Sequence, residues 1–251
     1  MHRLKESFTK RKQNLLLSLL FLFFLNCFLH AQPIATVTNF SGEVKICPSG
    51  KVDWRVVKIY SPVYSNDKIK TVENSFCELI FDTGEVLRLE GNSEASIKRN
   101  GQVSIFLSMG KLLTNIDFNV YKRKKGKFEI RTLSAAASVR GTEFVVEVGT
   151  AARPVSEIAV FSGDVSVKSL DTKDEVLVPA KKQTIVEKNK PPVEPFSFTE
   201  KVIEYYETQV IAFEKRVEET RKKLDEYMEK RNKTIEDWYE KREKQIEKQF
   251  K

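Results

Sequence analysis

From Ala35 to Glu187 the chain is a cadence of short apolar runs, each broken by a polar or glycine-containing turn after eight to twelve residues. No stretch before Glu200 repeats its apolar residues at helical spacing, while strand alternation recurs throughout, so a helical bundle is excluded. The predicted strands begin with Ala35 to Asn39, Glu43 to Cys47, Arg55 to Ile59, Lys68 to Val72, Phe76 to Phe81, Val86 to Glu90 and Ala95 to Lys98. They continue with Val103 to Leu107, Leu112 to Ile116, Phe128 to Arg131, Glu143 to Val148, Ile158 to Phe161, Val165 to Lys168, Val176 to Val178 and Thr184 to Glu187. The fold class is therefore an all-β domain, either an irregular β-helix or roll or a double sheet of short strands. A long C-terminal α-helix follows it, with coiled-coil pairing as one outcome.

Within the β region a small element recurs: glycine, a polar residue, then an apolar one that opens a strand. It stands at Gly42-Glu43-Val44, Gly84-Glu85-Val86, Gly101-Gln102-Val103, Gly110-Lys111-Leu112 and Gly163-Asp164-Val165. Glycine supplies the positive φ of a turn, and the apolar residue restarts the inward face. The intervals between copies are too uneven for a strict repeat, but they suit a stack of unequal turns. The densest stretch is Phe128 to Val148, where two alternating strands flank the small residues Ala135, Ala136 and Ala137 and the run Arg140-Gly141-Thr142-Glu143-Phe144.

That stretch, VRGTEFVVEV, resembles the signature of the FecR domain family, periplasmic β-rich domains named after a regulator that relays an outer-membrane transport signal. Other pieces match in order. Ser61-Pro62-Val63 through Asp67-Lys68-Ile69 and Thr71 is similar to the family's entry motif, and Asn74 through Gly84 to its central hairpin. Leu87-Arg88-Leu89 with Ser93, Leu107 to Leu113 around Gly110, and Val160 to Val167 complete the resemblance. Ser65-Asn66 departs from it where glycine is common, and Thr83 precedes Gly84 where an aspartate–glycine turn is usual. The founding member carries an inner-membrane helix and a cytoplasmic segment, for which this sequence offers only a leader ahead of Ala35. For Arg140, Gly141, Thr142, Glu143 and Phe144 the residues favour a structural role: Arg140 tying a bend that Gly141 permits, with Glu143 facing solvent or Arg140.

Residues 1 to 31 read as an export signal, a basic start followed by the apolar run Leu15 to Leu25 and a mixed stretch ending at Ala31. The run is shorter than the ~20 apolar residues of a membrane span. Three outcomes are open: cleavage after Ala31, lipidation of Cys27 in a loose Leu25-Asn26-Cys27 box, or an uncleaved anchor. The expected location is periplasmic or envelope-associated, with an outer-membrane lipoprotein as the alternative. Cys47 and Cys77 would then meet an oxidising compartment, where pairing is open but a buried, inert Cys77 fits its phase with Leu79 and Phe81. The net charge of +8 is carried as +4 in the leader and +4 spread over residues 32 to 199. So diffuse a charge argues against nucleic acid, which needs cations gathered on one face.

At 188–199 the β cadence stops in KNKPPVEP, a proline-rich linker expected to act as a stiff spacer between the β domain, 32–187, and the segment 200–251. Thr199 is placed to cap a helix that runs without Gly or Pro to Lys251 and carries 14 basic and 14 acidic side chains. Ile203, Tyr206, Val210, Phe213, Val217 and Leu224 form its candidate interface, and from Met228 the stripe shifts to Ile235, Tyr239, Ile246 and Phe250. A rod of about 75 Å cannot bury such a stripe on itself. It must pair with another copy, lie on a partner, or stand alone on intrahelical ion pairs such as Glu240 with Lys244.

Both histidines, His2 and His30, lie in the leader, which removes histidine-dependent nucleophilic schemes and metal sites from the rest. No phosphate loop, zinc-type cysteine spacing or dinucleotide fingerprint is present, so no catalytic, metal or cofactor residue is assigned and no cofactor is expected. The expectation is a non-enzymatic envelope protein whose FecR-like domain binds a protein, peptide or cell-wall component, with a helical tail for docking or homo-oligomer assembly. The alternative is a periplasmic signal-relay component of a FecR-type regulatory system.

Overall fold

The computed structural model describes residues 32–116, 128–139, 141–149 and 154–249. Among these described residues seventeen strands lie in the order β1 (Ala35–Ser41), β2 (Val44–Cys47), β3 (Arg55–Val56), β4 (Pro62–Val63), β5 (Lys68–Thr71), β6 (Phe76–Phe81), β7 (Val86–Leu89) and β8 (Glu94–Asn100). Next come β9 (Gln102–Asn115), β10 (Phe128–Arg131), β11 (Ala135–Val139), β12 (Glu143–Val148), β13 (Val155–Ser162), β14 (Asp164–Ser169), β15 (Glu175–Pro179), β16 (Lys182–Glu187) and β17 (Phe196–Ser197). Helix α1 (Glu200–Tyr205), a π-helical turn (Tyr206–Val210) and α2 (Ile211–Gln249) follow without a break.

The strands form two sheets. Sheet A runs β4-β1-β6-β7-β9-β12-β13-β16-β17, and sheet B runs β3-β2-β5-β8-β9-β10-β11-β14-β15. Strand β9 belongs to both: Val103–Phe106 pair with β10 in sheet B, and Gly110–Asn115 pair with β12 in sheet A. The two runs expected as separate strands, Val103 to Leu107 and Leu112 to Ile116, are thus one strand that changes sheets at Gly110. Between the sheets lies one apolar core, to which Val37, Leu79, Phe81, Leu89, Ile105, Leu112, Phe144, Val146, Ile158 and Val165 contribute.

The chain passes repeatedly from one sheet to the other, and the described passages carry a backbone of positive φ, at Gly42, Asn74, Asn92, Gly110, Gly141, Gly163 and Lys181 among others. Three of the five recurring glycine elements are such passages, whereas Gly84 and Gly101 turn hairpins. Passages also press on one another. A Cβ on Gly110 would lie 2.1 Å from Ser93 Oγ and 2.5 Å from its Cα, and one on Gly163 would lie 2.6 Å from the Thr142 methyl. Glycine is required there twice over, by φ and by space.

The two sheets differ in how their outer faces are used. Sheet B leaves that face to solvent and its strands alternate, as in the buried–half-buried alternation at the start of β8. Sheet A carries the helix, so its strands are buried on both faces and read as near-continuous apolar runs, FCELIF in β6 and EFVVEV in β12. The alanines expected as a spacer between strands are themselves β11, paired with β10 on one side and β14 on the other. The proline-rich segment is fastened along sheet A: Val193 N–H donates to Ile185 O, Phe196 and Ser197 pair with Gln183 and Lys182, and Thr199 N–H donates to Gln183 Oε1. Thr199 does stand at the N-cap, but its side chain makes no capping bond.

Candidate functional site: the helix-covered face of sheet A

The outer face of sheet A presents Ile80, Val86, Leu113, Val145, Ala159 and Phe161. Against them pack Val202, Val210, Phe213 and Val217, with Phe198, Tyr205 and Tyr206 at the margin. Phe161 sits between the rings of Phe198 and Tyr206, at centroid distances of 5.6 and 5.2 Å. At about 1.5–3 kcal/mol for each buried aliphatic or aromatic side chain, the four helix residues contribute up to about 6–12 kcal/mol to docking. The stripe expected to seek another molecule therefore finds its first partner in the chain's own sheet.

The π turn decides which residues dock. In an unbroken α-helix Ile203 and Val210 share a face. The extra residue absorbed by the π turn rotates the first turn by about 100°, so Val202 lies inside with Val210 while Ile203 is 44% exposed. Val210, Phe213 and Val217 of the expected interface are buried and Tyr206 is half-buried. The side chain of Leu224 lies outside what the structure describes.

A line of charged groups crosses this apolar contact. Glu78, fully buried on β6, accepts from Arg88 Nη1 at 2.8 Å, from Asn39 Nδ2 at 3.1 Å and from Arg216 of α2 at 3.4 Å. Arg88 also reaches Glu90 at 2.9 Å and lies 3.8 Å over the Phe76 ring. Tyr205 donates to Glu90 at 2.9 Å; burial, and then the Glu90 carboxylate, push its hydroxyl pKa up. Burial would raise Glu147, but hydrogen bonds from Lys201 of α1 at 2.8 Å and from Lys111 outweigh it and hold this carboxyl below its ordinary range. Arg221 donates to Gly84 O and Asn115 Oδ1.

The expected motif residues meet this interface at one point. Gly141 has φ +67° where the chain passes from β11 to β12, Thr142 O accepts from Ile116 N–H, and Phe144 is core. Glu143 does not face solvent. It is 4% exposed under α2, accepts from Asn115 Nδ2 at 3.2 Å and hydrogen-bonds Glu214. Burial first, then the neighbouring Glu214 carboxyl, push its pKa up to about 8. Arg140 and Cys27 lie outside the described residues. What sequence reasoning missed is that Glu78, Arg88, Glu143 and Glu147 share one covered face. The signal was available: each is an acidic or basic residue set at the outward phase of a strand otherwise apolar on both faces.

Among the described residues no group of His, Cys, Asp and Glu side chains is placed to hold a metal ion, and no helix is long and apolar enough to cross a membrane. Cys47 and Cys77 are both free and buried. Burial, with Glu78 adding to it, pushes the Cys77 thiol up to about 12.

Residues 67–166, which run from the buried Asp67 to β14, match the family model described as FecR protein. The chain therefore carries a stretch similar to the FecR domain. The sandwich extends beyond the matched FecR span, because β1 pairs with β6 and β16 with β13 from outside it. Two crystal structures of a "putative anti-sigma factor" from Parabacteroides distasonis ATCC 8503 are similar at 15% identity and a TM-score of 0.46. The alignments cover 57% of this chain and 64% and 65% of theirs, just under two thirds of their length. No curated protein matches.

Proposed function

We propose that this protein is a non-enzymatic component of the cell envelope that takes a protein or peptide partner by strand addition, with its helical tail serving assembly or docking. The observation that carries this reading is the division of labour between the sheets. Sheet A is occupied by the chain's own helix, whereas sheet B ends at β15, a five-residue strand that pairs only with β14 among the described residues. Leu177 at its centre is 63% exposed. An open edge of this length supplies backbone donors and acceptors for an incoming strand, and an exposed apolar side chain gives it a foothold.

A second reading, a signal-relay component of a FecR-type regulatory system, is favoured by the family match over residues 67–166. Photo-crosslinking in intact cells tests both, with the label at position 177 and a control label at the highly exposed Val52. A discrete protein adduct from 177 and not from 52 is expected. Its identification as a membrane-embedded regulator selects the relay reading, whereas an adduct to wall polymer alone, or none, overturns strand addition.

A further inference from the structure

Beyond Tyr227, whose ring stacks on Tyr60 at 4.1 Å, helix α2 leaves the sandwich, and every described side chain from Glu229 to Ile246 is exposed. The apolar stripe does not end there. Ile235 follows the docked Val217 by 18 residues and Ile246 follows Met228 by 18; eighteen residues are five full turns. Ile235, Trp238, Tyr239 and Ile246, at 45, 52, 62 and 47% exposure, thus continue the face that binds sheet A where there is no more sheet to bind.

We infer that this tail, about 30 Å of helix, pairs with the same tail of a second copy in a parallel two-stranded coiled coil. Three observations favour a second copy. The stripe is continuous with an established interface, so no new face is required. The seam has heptad order, with Asn232, Tyr239 and Ile246 at one core position and Met228, Ile235 and Arg242 at the other. An asparagine at such a position meets its twin and sets register and a two-stranded state. The shoulders of the seam also differ in sign: Glu229, Glu236 and Glu243 line one, flanked by Lys233 and Glu240, while Arg231, Trp238 and Gln245 line the other, flanked by Lys241. In a parallel pair the acidic shoulder of one helix lies along the Arg231 shoulder of its twin, and Arg242 can reach the twin's Glu243. In an antiparallel pair acidic shoulder meets acidic shoulder, which is repulsive.

This deepens the assembly role proposed for the tail and is independent of what the β15 edge binds, so the two fail separately. The test uses residues 33–251, a compact body by themselves. Light scattering across a concentration series is expected to show a dimer, and Ile235→Glu with Ile246→Glu to shift it to monomer with the thermal unfolding of the sandwich unchanged. Asn232→Cys is expected to give a disulfide-linked dimer under mild oxidation, since Cys47 and Cys77 are buried and do not compete. A monomer at all concentrations, or a dimer indifferent to the double substitution, overturns the inference. A tail-dependent dimer that Asn232→Cys fails to link overturns its parallel arrangement.

Discussion

Glu143 makes a prediction whose sign is unusual for a carboxylate. Its pKa is raised from 4.5 to about 8, so between those values the folded chain holds a proton that the unfolded chain has released. Stability from this group is fully present below pH 4.5, drains away as pH rises, and is gone above about pH 8. At about 1.4 kcal/mol for each tenfold change, the interval corresponds to a ceiling of about 5 kcal/mol. The helix offers a way to lose less: once Glu143 ionises against Glu214, α2 can part from the sheet and admit water, which caps the penalty. A loss of about 2–4 kcal/mol between pH 5 and pH 9 is therefore expected. Residues 33–251 contain no histidine to confuse the titration. The groups facing Glu143 are Asn115 on β9 and Glu214 on α2, with Arg221 holding the far side of Asn115. The substitution Glu143→Gln keeps the shape and still hydrogen-bonds Glu214, but carries no charge. Urea unfolding followed by far-UV circular dichroism at pH 5, 7 and 9 is expected to give a falling profile for the natural chain and a flat one for Glu143→Gln, with the variant the more stable at pH 9. Parallel profiles, or a natural chain that gains stability toward pH 9, would refute the reasoning.

Replacing Arg88 by leucine leaves Glu78 buried with only the neutral Asn39 amide and the longer contact from Arg216. A loss of about 3–5 kcal/mol in urea unfolding is expected, larger than for Arg216→Leu. Gly110→Ala places a methyl inside the Ser93 side chain at a φ of +88°; a loss above about 2 kcal/mol, read as a fall in melting temperature, is expected. Cys77, with its thiol pushed up to about 12 and no exposed surface, should resist alkylation at pH 8 until denaturant is added, and mass spectrometry should find no Cys47–Cys77 disulfide.

Much of the β domain is legible in the sequence because strand alternation and turn residues are local signals. The hairpins at Gly84 and Gly101 and the strands around Phe76 to Phe81, Phe128 to Arg131 and Glu143 to Val148 need no tertiary knowledge. The identity of β9 as one strand was hidden because Gly110 resembles the other turn glycines, and only a partner on each side shows that the chain goes straight on. Two-residue strands such as β4 and β17 are defined by what they pair with and leave no pattern of their own. The π turn was invisible for a different reason: YETQV has ordinary helix-forming composition, and the extra residue is imposed by docking, which moves Ile203 out and Val202 in. Glu143 was misjudged because a glutamate in a strand is normally a surface residue. Its burial depends on a helix whose docked side chains lie some sixty to seventy residues downstream.

Strand β9 gives the sandwich a mechanical character. A two-sheet domain can ordinarily be pried apart along its core, each sheet keeping its internal ladders while the layers slide. Here one backbone is hydrogen-bonded into both layers, flanked by β8 and β10 at one end and by β7 and β12 at the other. Separating the layers means unzipping ladders on both sides of β9, so the layers cannot slip past each other as intact plates. A tug on the helical rod is therefore passed through sheet A into β9 and shared by the other layer, and the head should yield to force in a single step.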